Sequence, residues 1–296
     1  AQRLSGHTHR TPVMTSASLN EAVEAELFFK CENFQRTGSF KLRGAMNATL
    51  QLSQDVSMVV THSSGNHGAA LALAAKECGK RAMVVVPTDA RPEKRVAIER
   101  LGAEVVDCGE ELADRETVLA EVMASEPEAV FVPPYDHAEI IAGQGTAALE
   151  LVEEVGDLDQ LWVPIGGGGL AAGTTIVANG QIDVICAEPE LARDAHDSLA
   201  MGDLQPAMPP HTVADGLRTA LGKLNFEILR QNRIAVVLVD DEAILKAMGL
   251  IWNRLKIVVE PSAAACLAAM LLDPRRVAKR AGIILSGGNI SPPGPY

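Results

Sequence analysis

The sequence predicts an α/β protein of two domains, each built on an open, twisted, mostly parallel sheet with helices on both faces. Three observations predict it. Short β-branched runs alternate with helical patterns along most of the chain. The runs are continuous rather than alternating, as expected of strands buried on both faces. Small-residue turns follow several of them, where ligands bind in such sheets. Parallel strands imply right-handed crossovers. Two such units with a cleft between them fit a chain of 296 residues.

The elements follow in order. The chain opens in a helix-like stretch. Residues 57–62 (SMVVTH) predict a strand, and 66–79, rich in Ala and Leu, a helix that stops at Gly79. Residues 81–87 (RAMVVVP), 103–108 (AEVVDC) and 129–133 (AVFVP) predict further strands, with helices at 91–101 and 112–125 between them. A second series has helices at 142–155, from about 170, at 242–256 and at 262–272. Its strands are 161–165, 182–187, 234–239 and 282–285. Residues 191–213 are poor in pattern and predict a loop.

Composition narrows the function. Hydrophobic residues make up 47% and charged residues 22%, which suits a globular chain and excludes a disordered or fibrous one. The net charge of −12 argues against nucleic-acid or anionic-membrane partners. No apolar run is long enough for a membrane span. Cys31, Cys78, Cys108, Cys186 and Cys266 are dispersed with no CxxC pair, and predict reduced thiols and a cytoplasmic location.

Four segments could carry chemistry: Thr37-Gly38-Ser39-Phe40-Lys41, Ser63-Ser64-Gly65-Asn66-His67-Gly68, the glycines Gly166, Gly167, Gly168 and Gly169, and Ser286-Gly287-Gly288-Asn289. Turns of this kind expose backbone N–H groups to an anion. The four glycines follow a strand and open a helix at Leu170, which predicts a phosphate cradle. Residues 168–175 nearly fit a phosphate-binding P-loop, but Thr174 stands where its lysine belongs. Gly166-x-Gly168-x-x-Ala171, with Glu188 about twenty residues on, also fits a dinucleotide fingerprint. An NAD-dependent enzyme therefore stays open from this window alone. Lys41 beside Phe40 is placed for covalent attachment of a carbonyl cofactor. Taken alone it is an ordinary surface lysine, and Ser64 and Asn66 are ordinary helix caps.

The segments RTPVMTS (10–16), FFKCENFQRTGSFKLRGAMNA (28–48), VVTHSSGNHGAALALAAK (59–76), PPYDHAEIIAGQGTAALEL (133–151), VPIGGGGLAAG (163–173), AEPE (187–190), ADGLRT (214–219), VVEPSAAA (258–265) and ILSGGN (284–289) run in a recognisable order over most of the chain. Together they resemble the serine/threonine dehydratase and serine racemase family of pyridoxal-phosphate (PLP) enzymes. The resemblance implies the fold-type II, tryptophan synthase β-like architecture. Its large domain would cover 1–52 and 137–296 and its small domain 53–136.

The resemblance also implies roles. Lys41 would bind PLP and act as a catalytic base, and Phe40 would pack on the ring. Gly166, Gly167, Gly168, Gly169 and Leu170 would hold the phosphate, Asn66 the ring oxygen and Ser286 the pyridine nitrogen. Ser63, Ser64, Asn66 and His67 would receive the substrate carboxylate, assisted by Arg115. Ser64 would be the second acid/base if the enzyme racemises, since Lys41 alone returns a proton to the face it left. Glu188, the Ala192 carbonyl and Asp194 would hold a divalent cation, Mg²⁺ or Mn²⁺. The pairs His7/His9 and His62/His67 lack a third ligand for zinc.

The reaction implied is β-elimination of water from an L-β-hydroxy amino acid (serine, threonine or threo-3-hydroxyaspartate), ending in a 2-oxo acid and ammonia, with serine racemisation as the alternative. The last substrate needs a cation for its second carboxylate, for which Arg115 and His137 are candidates. A homodimer is implied. No room is seen for a regulatory domain after Tyr296. ATP activation is not expected, because Ala69, near Arg36, offers no polar group.

Overall fold

The computed structural model describes residues 1–63, 65–90, 92–110, 112–209 and 211–291. The first half runs β1 (Val13–Met14), α1 (Ala17–Val23), β2 (Glu26–Cys31), α2 (Lys41–Thr49), β3 (Met58–His62), α3 (Asn66–Glu77), β4 (Arg81–Pro87), α4 (Pro92–Arg100), β5 (Glu104–Cys108), α5 (Leu112–Ser125) and β6 (Val130–Phe131). The second half runs α6 (Ala138–Val155), β7 (Gln160–Pro164), α7 (Gly169–Ala178), β8 (Asp183–Pro189), α8 (Asp194–Met201), α9 (Lys223–Gln231), β9 (Ala235–Val239), α10 (Asp241–Leu255), α11 (Pro261–Leu272) and β10 (Arg280–Leu285).

Two sheets form. One has six strands in the order β1-β2-β10-β7-β8-β9, and the other four in the order β5-β4-β3-β6. All pairings are parallel except β1 against β2. The continuous apolar runs have their expected cause. On β10, Ala281, Ile283 and Leu285 face α1, α10 and α11, while Ile284 faces the side packed by α6, α7 and α9. On β3 and β4, Val59, Val84 and Val86 pack with α3 and α4, whereas Met58, Val60 and Val85 pack with α5. Helix α2 lies between α3 and α6 and so joins the two layers.

Some expectations need correction. The loop expected at 191–213 contains α8. Its first N–H groups, from Ala195 and His196, are capped by the Glu188 carboxylate at 2.9 and 2.8 Å, so no local cap marks it. Helix α9 was also not legible, because Asp136 caps Lys223 and Leu224 from across the fold, both at 3.0 Å. Strand β2 carries no alternation, having Phe29, Lys30 and Cys31 all buried.

Candidate active site

The loops at the carboxyl ends of β2, β3, β7 and β10 converge, which brings the four predicted segments together. The loop after β2 leads to Lys41, the first residue of α2. Backbone bonds tie it to the loop after β10: the Phe40 N–H donates to the Ser286 carbonyl at 3.0 Å, and Gly288 N–H to the Gly38 carbonyl at 2.9 Å. Ser39 bridges Gly287. Gly38 has φ +73° and its missing side chain makes room for Asn289.

Lys41 is half-buried, and its amine donates to the Pro134 carbonyl at 2.8 Å. The amine lies 5.2 Å from the Phe40 ring centroid and 5.9 Å from that of Tyr135. Burial lowers its pKa to about 8, with the Glu260 charge working the other way. A lysine in that range is an amine at mildly alkaline pH and can act as nucleophile or base. Helix α2 is anchored two residues on by Arg43, fully buried between Glu32 and Glu150.

The glycine turn precedes α7. A Cβ on Gly166 would stand 2.9 Å from Leu217 Cα, one on Gly167 would enter the Tyr135 ring, and one on Gly168 would stand 2.7 Å from Leu221 Cδ1. Gly168 also has φ +88° and caps α7. Backbone alone fits there, at the N-terminus of a helix that continues through the buried Leu170. Gly167's carbonyl is turned away, accepting from Gly222 N–H and the Asn225 amide at 3.1 and 2.6 Å.

The loop after β3 holds Ser63, whose Oγ accepts from Gly65 N–H at 3.2 Å. Ser64 lies outside the described residues. Asn66 opens α3 with both amide ends engaged. Its Nδ2 donates to Glu260 at 2.9 and 3.2 Å, and its Oδ1 accepts from Asn289 at 2.9 Å. Asn289 also donates to the Thr37 carbonyl at 2.8 Å. His67 is fully enclosed, and burial, helped by the Lys41 charge, lowers its pKa to about 3. Its Nε2 donates to the Val132 carbonyl at 3.2 Å. Its other ring nitrogen is then an acceptor, so an anion at this loop would meet backbone N–H groups of the first turn.

Other expected residues sit further out. Arg115, on α5, donates to the Glu110 carbonyl at 3.2 Å, and its Nε is buried without a partner among the described residues. His137 caps α6 by accepting from Glu139 N–H at 3.3 Å. Ser286 is buried directly after β10. Glu188 and Asp194 are both buried. Burial raises Glu188 to about 8 and Asp194 to about 6. Asn225, whose amide bonds the Gly167 carbonyl, has its Oδ1 buried with no partner among the described residues. No group of three His, Cys, Asp or Glu residues that could hold a metal occurs among the described residues.

Glu260 was missed by sequence reasoning. It caps α11, is 2% exposed and faces Asn66, and burial raises its pKa to about 7 with Asp215 adding to the rise. The glutamate stands in the quoted VVEPSAAA segment, but its partner is far away in the chain.

A family model described as pyridoxal-phosphate dependent enzyme matches residues 4–287. The chain belongs to that family. The dinucleotide reading of the glycine turn is thereby set aside. Among these PLP-dependent enzymes, a serine racemase of Dictyostelium discoideum is 45% identical over 98% of this chain and 92% of the relative. An L-threo-3-hydroxyaspartate ammonia-lyase of Saccharomyces cerevisiae is 42% identical over 98% of this chain and 91% of the relative. The crystal structure of the T.th. threonine deaminase superposes with a TM-score of 0.92 at 40% identity, covering 98% of this chain and 97% of that one. The fold is therefore the fold-type II one. The residues present fit PLP: a lysine amine of lowered pKa, a turn that admits only backbone at a helix N-terminus, and Thr37 and Ser39 hydroxyls buried without partners among the described residues.

Proposed function

We propose that the protein eliminates water from an L-β-hydroxy amino acid (serine, threonine or threo-3-hydroxyaspartate) and releases an enamine, whose hydrolysis takes that water back and yields a 2-oxo acid and ammonia. The supporting observation is the Lys41 amine, held by the Pro134 carbonyl near a glycine turn and the 63–66 loop. When bound, pyridoxal phosphate supplies an electron sink for charge at the substrate Cα. Lys41 would bind it, and the Lys41 amine would withdraw the Cα proton of the substrate. Gly166, Gly167, Gly168, Gly169 and Leu170 hold the phosphate, Phe40 packs on the ring, and Asn66 and Ser286 hold the ring oxygen and nitrogen. Ser286, being neutral, would leave that nitrogen unprotonated, a weaker electron sink than a carboxylate-paired pyridinium, and this would favour prompt loss of the β-hydroxyl. Ser63, Ser64 and the first turn of α3 receive the substrate carboxylate, assisted by Arg115. The test is release of 2-oxo acid and ammonia from the three substrates. None from any of them contradicts the proposal.

Serine racemisation is the second reading, supported by the similarity to the Dictyostelium discoideum racemase. Ser64 then serves the face opposite Lys41. Ser64→Ala should abolish interconversion of D- and L-serine while much of the elimination of L-substrate survives. Parallel loss of both would leave Ser64 a binding residue only.

We further propose that Glu188, the Ala192 carbonyl and Asp194 hold Mg²⁺ or Mn²⁺. Two buried carboxylates whose pKa values are raised gain from a cation, and an all-oxygen set suits a hard ion. A chelator should lower the melting temperature, added Mg²⁺ or Mn²⁺ should restore it, and Glu188→Ala should remove the response. A wild-type melting curve that neither the chelator nor the added cation changes contradicts the site. Residues 53–136 form the smaller domain, moving against 1–52 and 137–296. The working protein is a cytoplasmic homodimer.

A further inference from the structure

Lys94 and Asp215 form an ion pair that belongs to neither the glycine turn nor the Lys41 loop. Lys94 stands on α4, which packs with α3 and β5 in the layer of the four-stranded sheet. Asp215 opens the short 3-10 turn Asp215–Leu217, which packs against α11 in the layer of the six-stranded sheet. The pair therefore bridges the two layers. Its side chains are only 13% and 21% exposed, unlike most pairs on this surface.

Its place matters more than its burial. The Lys94 side chain lies on Gly65: a Cβ there would stand 3.0 Å from Lys94 Cδ and 3.3 Å from its Nζ. Gly65 belongs to the loop proposed to take the substrate carboxylate. On the other side, Gly216 follows Asp215. Its N–H donates to Ser262 Oγ at 2.9 Å, and a Cβ on it would stand 3.7 Å from Glu260 Oε1. Glu260 in turn holds Asn66, at the far end of the same loop. The loop is thus gripped at Gly65 by Lys94 and at Asn66 by Glu260.

We propose that Lys94 and Asp215 are positioning residues, a clasp that draws Gly65 and Asn66 onto the large sheet and so sets the affinity for the amino acid rather than the rate of its conversion. The clasp rests on the reading that this loop receives the substrate. An amino acid bound there is enclosed only while the layers stay together, and the ion pair favours that arrangement. Its loss leaves the Lys41 chemistry intact in the fraction of molecules that still close.

The experiment uses holoenzyme and glycine, which has the amino acid head group but no β-hydroxyl to lose. Its Kd is measured by calorimetry for wild type, Lys94→Met, Asp215→Asn, the double variant and Lys94→Arg, beside KM and kcat for hydroxy amino acids. Both single changes should raise the glycine Kd roughly tenfold, a usual size for coupling between two parts of a protein. KM should rise with it and kcat should stay near wild type. The double variant should be no weaker than either single, since one interaction is removed once. Lys94→Arg should keep near wild-type affinity, which separates the clasp from a folding defect. Unchanged Kd in the single variants, additive losses in the double, or a fall in kcat at constant KM would each overturn the clasp. Glycine binding that responds as expected in an enzyme releasing no 2-oxo acid would uphold the clasp and refute the elimination reading.

Discussion

The buried Lys30 is paired with Glu150 at 2.7 Å, and the want of such a partner is what separates Lys41 from it. The Lys41 amine meets a carbonyl and two aromatic rings, with no carboxylate in contact among the described residues, and its pKa falls to about 8. Lys41→Ala should cut turnover by roughly 10²–10⁴-fold or more, the usual worth of a general base, with covalent cofactor attachment lost as well. Steady-state kinetics and the absorbance of the purified variant check it. Glu260 is the converse case. Its ordinary value is 4.5, and burial raises it to about 7. The native state then keeps a proton that the unfolded chain gives up, so stability falls as pH rises through that window. The effect is of order a few kcal/mol, at about 1.4 kcal/mol per unit. Glu260→Gln should flatten this part of a melting-temperature profile recorded on cofactor-free protein. An unchanged slope would mean that Glu260 ionises as it does in water.

At the scale of elements, the glycine turn was legible because four adjacent glycines at a helix start have a physical reason in sequence alone. The structure adds what each one avoids: Leu217, Tyr135 and Leu221. Gly167→Ala should weaken cofactor binding, since Tyr135 or the turn must move. Overpacking of this kind costs about 1–3 kcal/mol. Titration of cofactor-free protein by absorbance measures the loss. Strands with continuous β-branched runs, such as β3, β4 and β8, were legible for the same local reason. Helices α8 and α9 were not, because Glu188 and Asp136 cap them from elsewhere in the chain. Nor could spacing expose the Asn66–Glu260 pair, which joins positions 194 residues apart.

For the whole molecule, the two sheets place four loops around one amine, and no single motif carries the reading. The glycine turn alone fitted a dinucleotide, and Lys41 alone was a surface lysine. Their convergence with the 63–66 loop and the turn after β10 is a property of the topology: β10 lies between β2 and β7, so the loops that follow these three strands are neighbours. Among the described residues no helix is long and apolar enough to cross a membrane. If Arg115 receives a second carboxylate, Arg115→Ala should raise KM for threo-3-hydroxyaspartate roughly tenfold or more and leave that for serine nearly unchanged, as loss of one charge-assisted contact would. Equal effects on both would assign Arg115 to the shared carboxylate. The central claim is that this convergence is a PLP site with Lys41 at its heart. Borohydride reduction of the holoenzyme followed by peptide mass spectrometry tests it most directly. The account predicts a reduced phosphopyridoxyl group on Lys41, absent from Lys41→Ala. A label on another lysine, or a protein that takes up no pyridoxal phosphate, would contradict it.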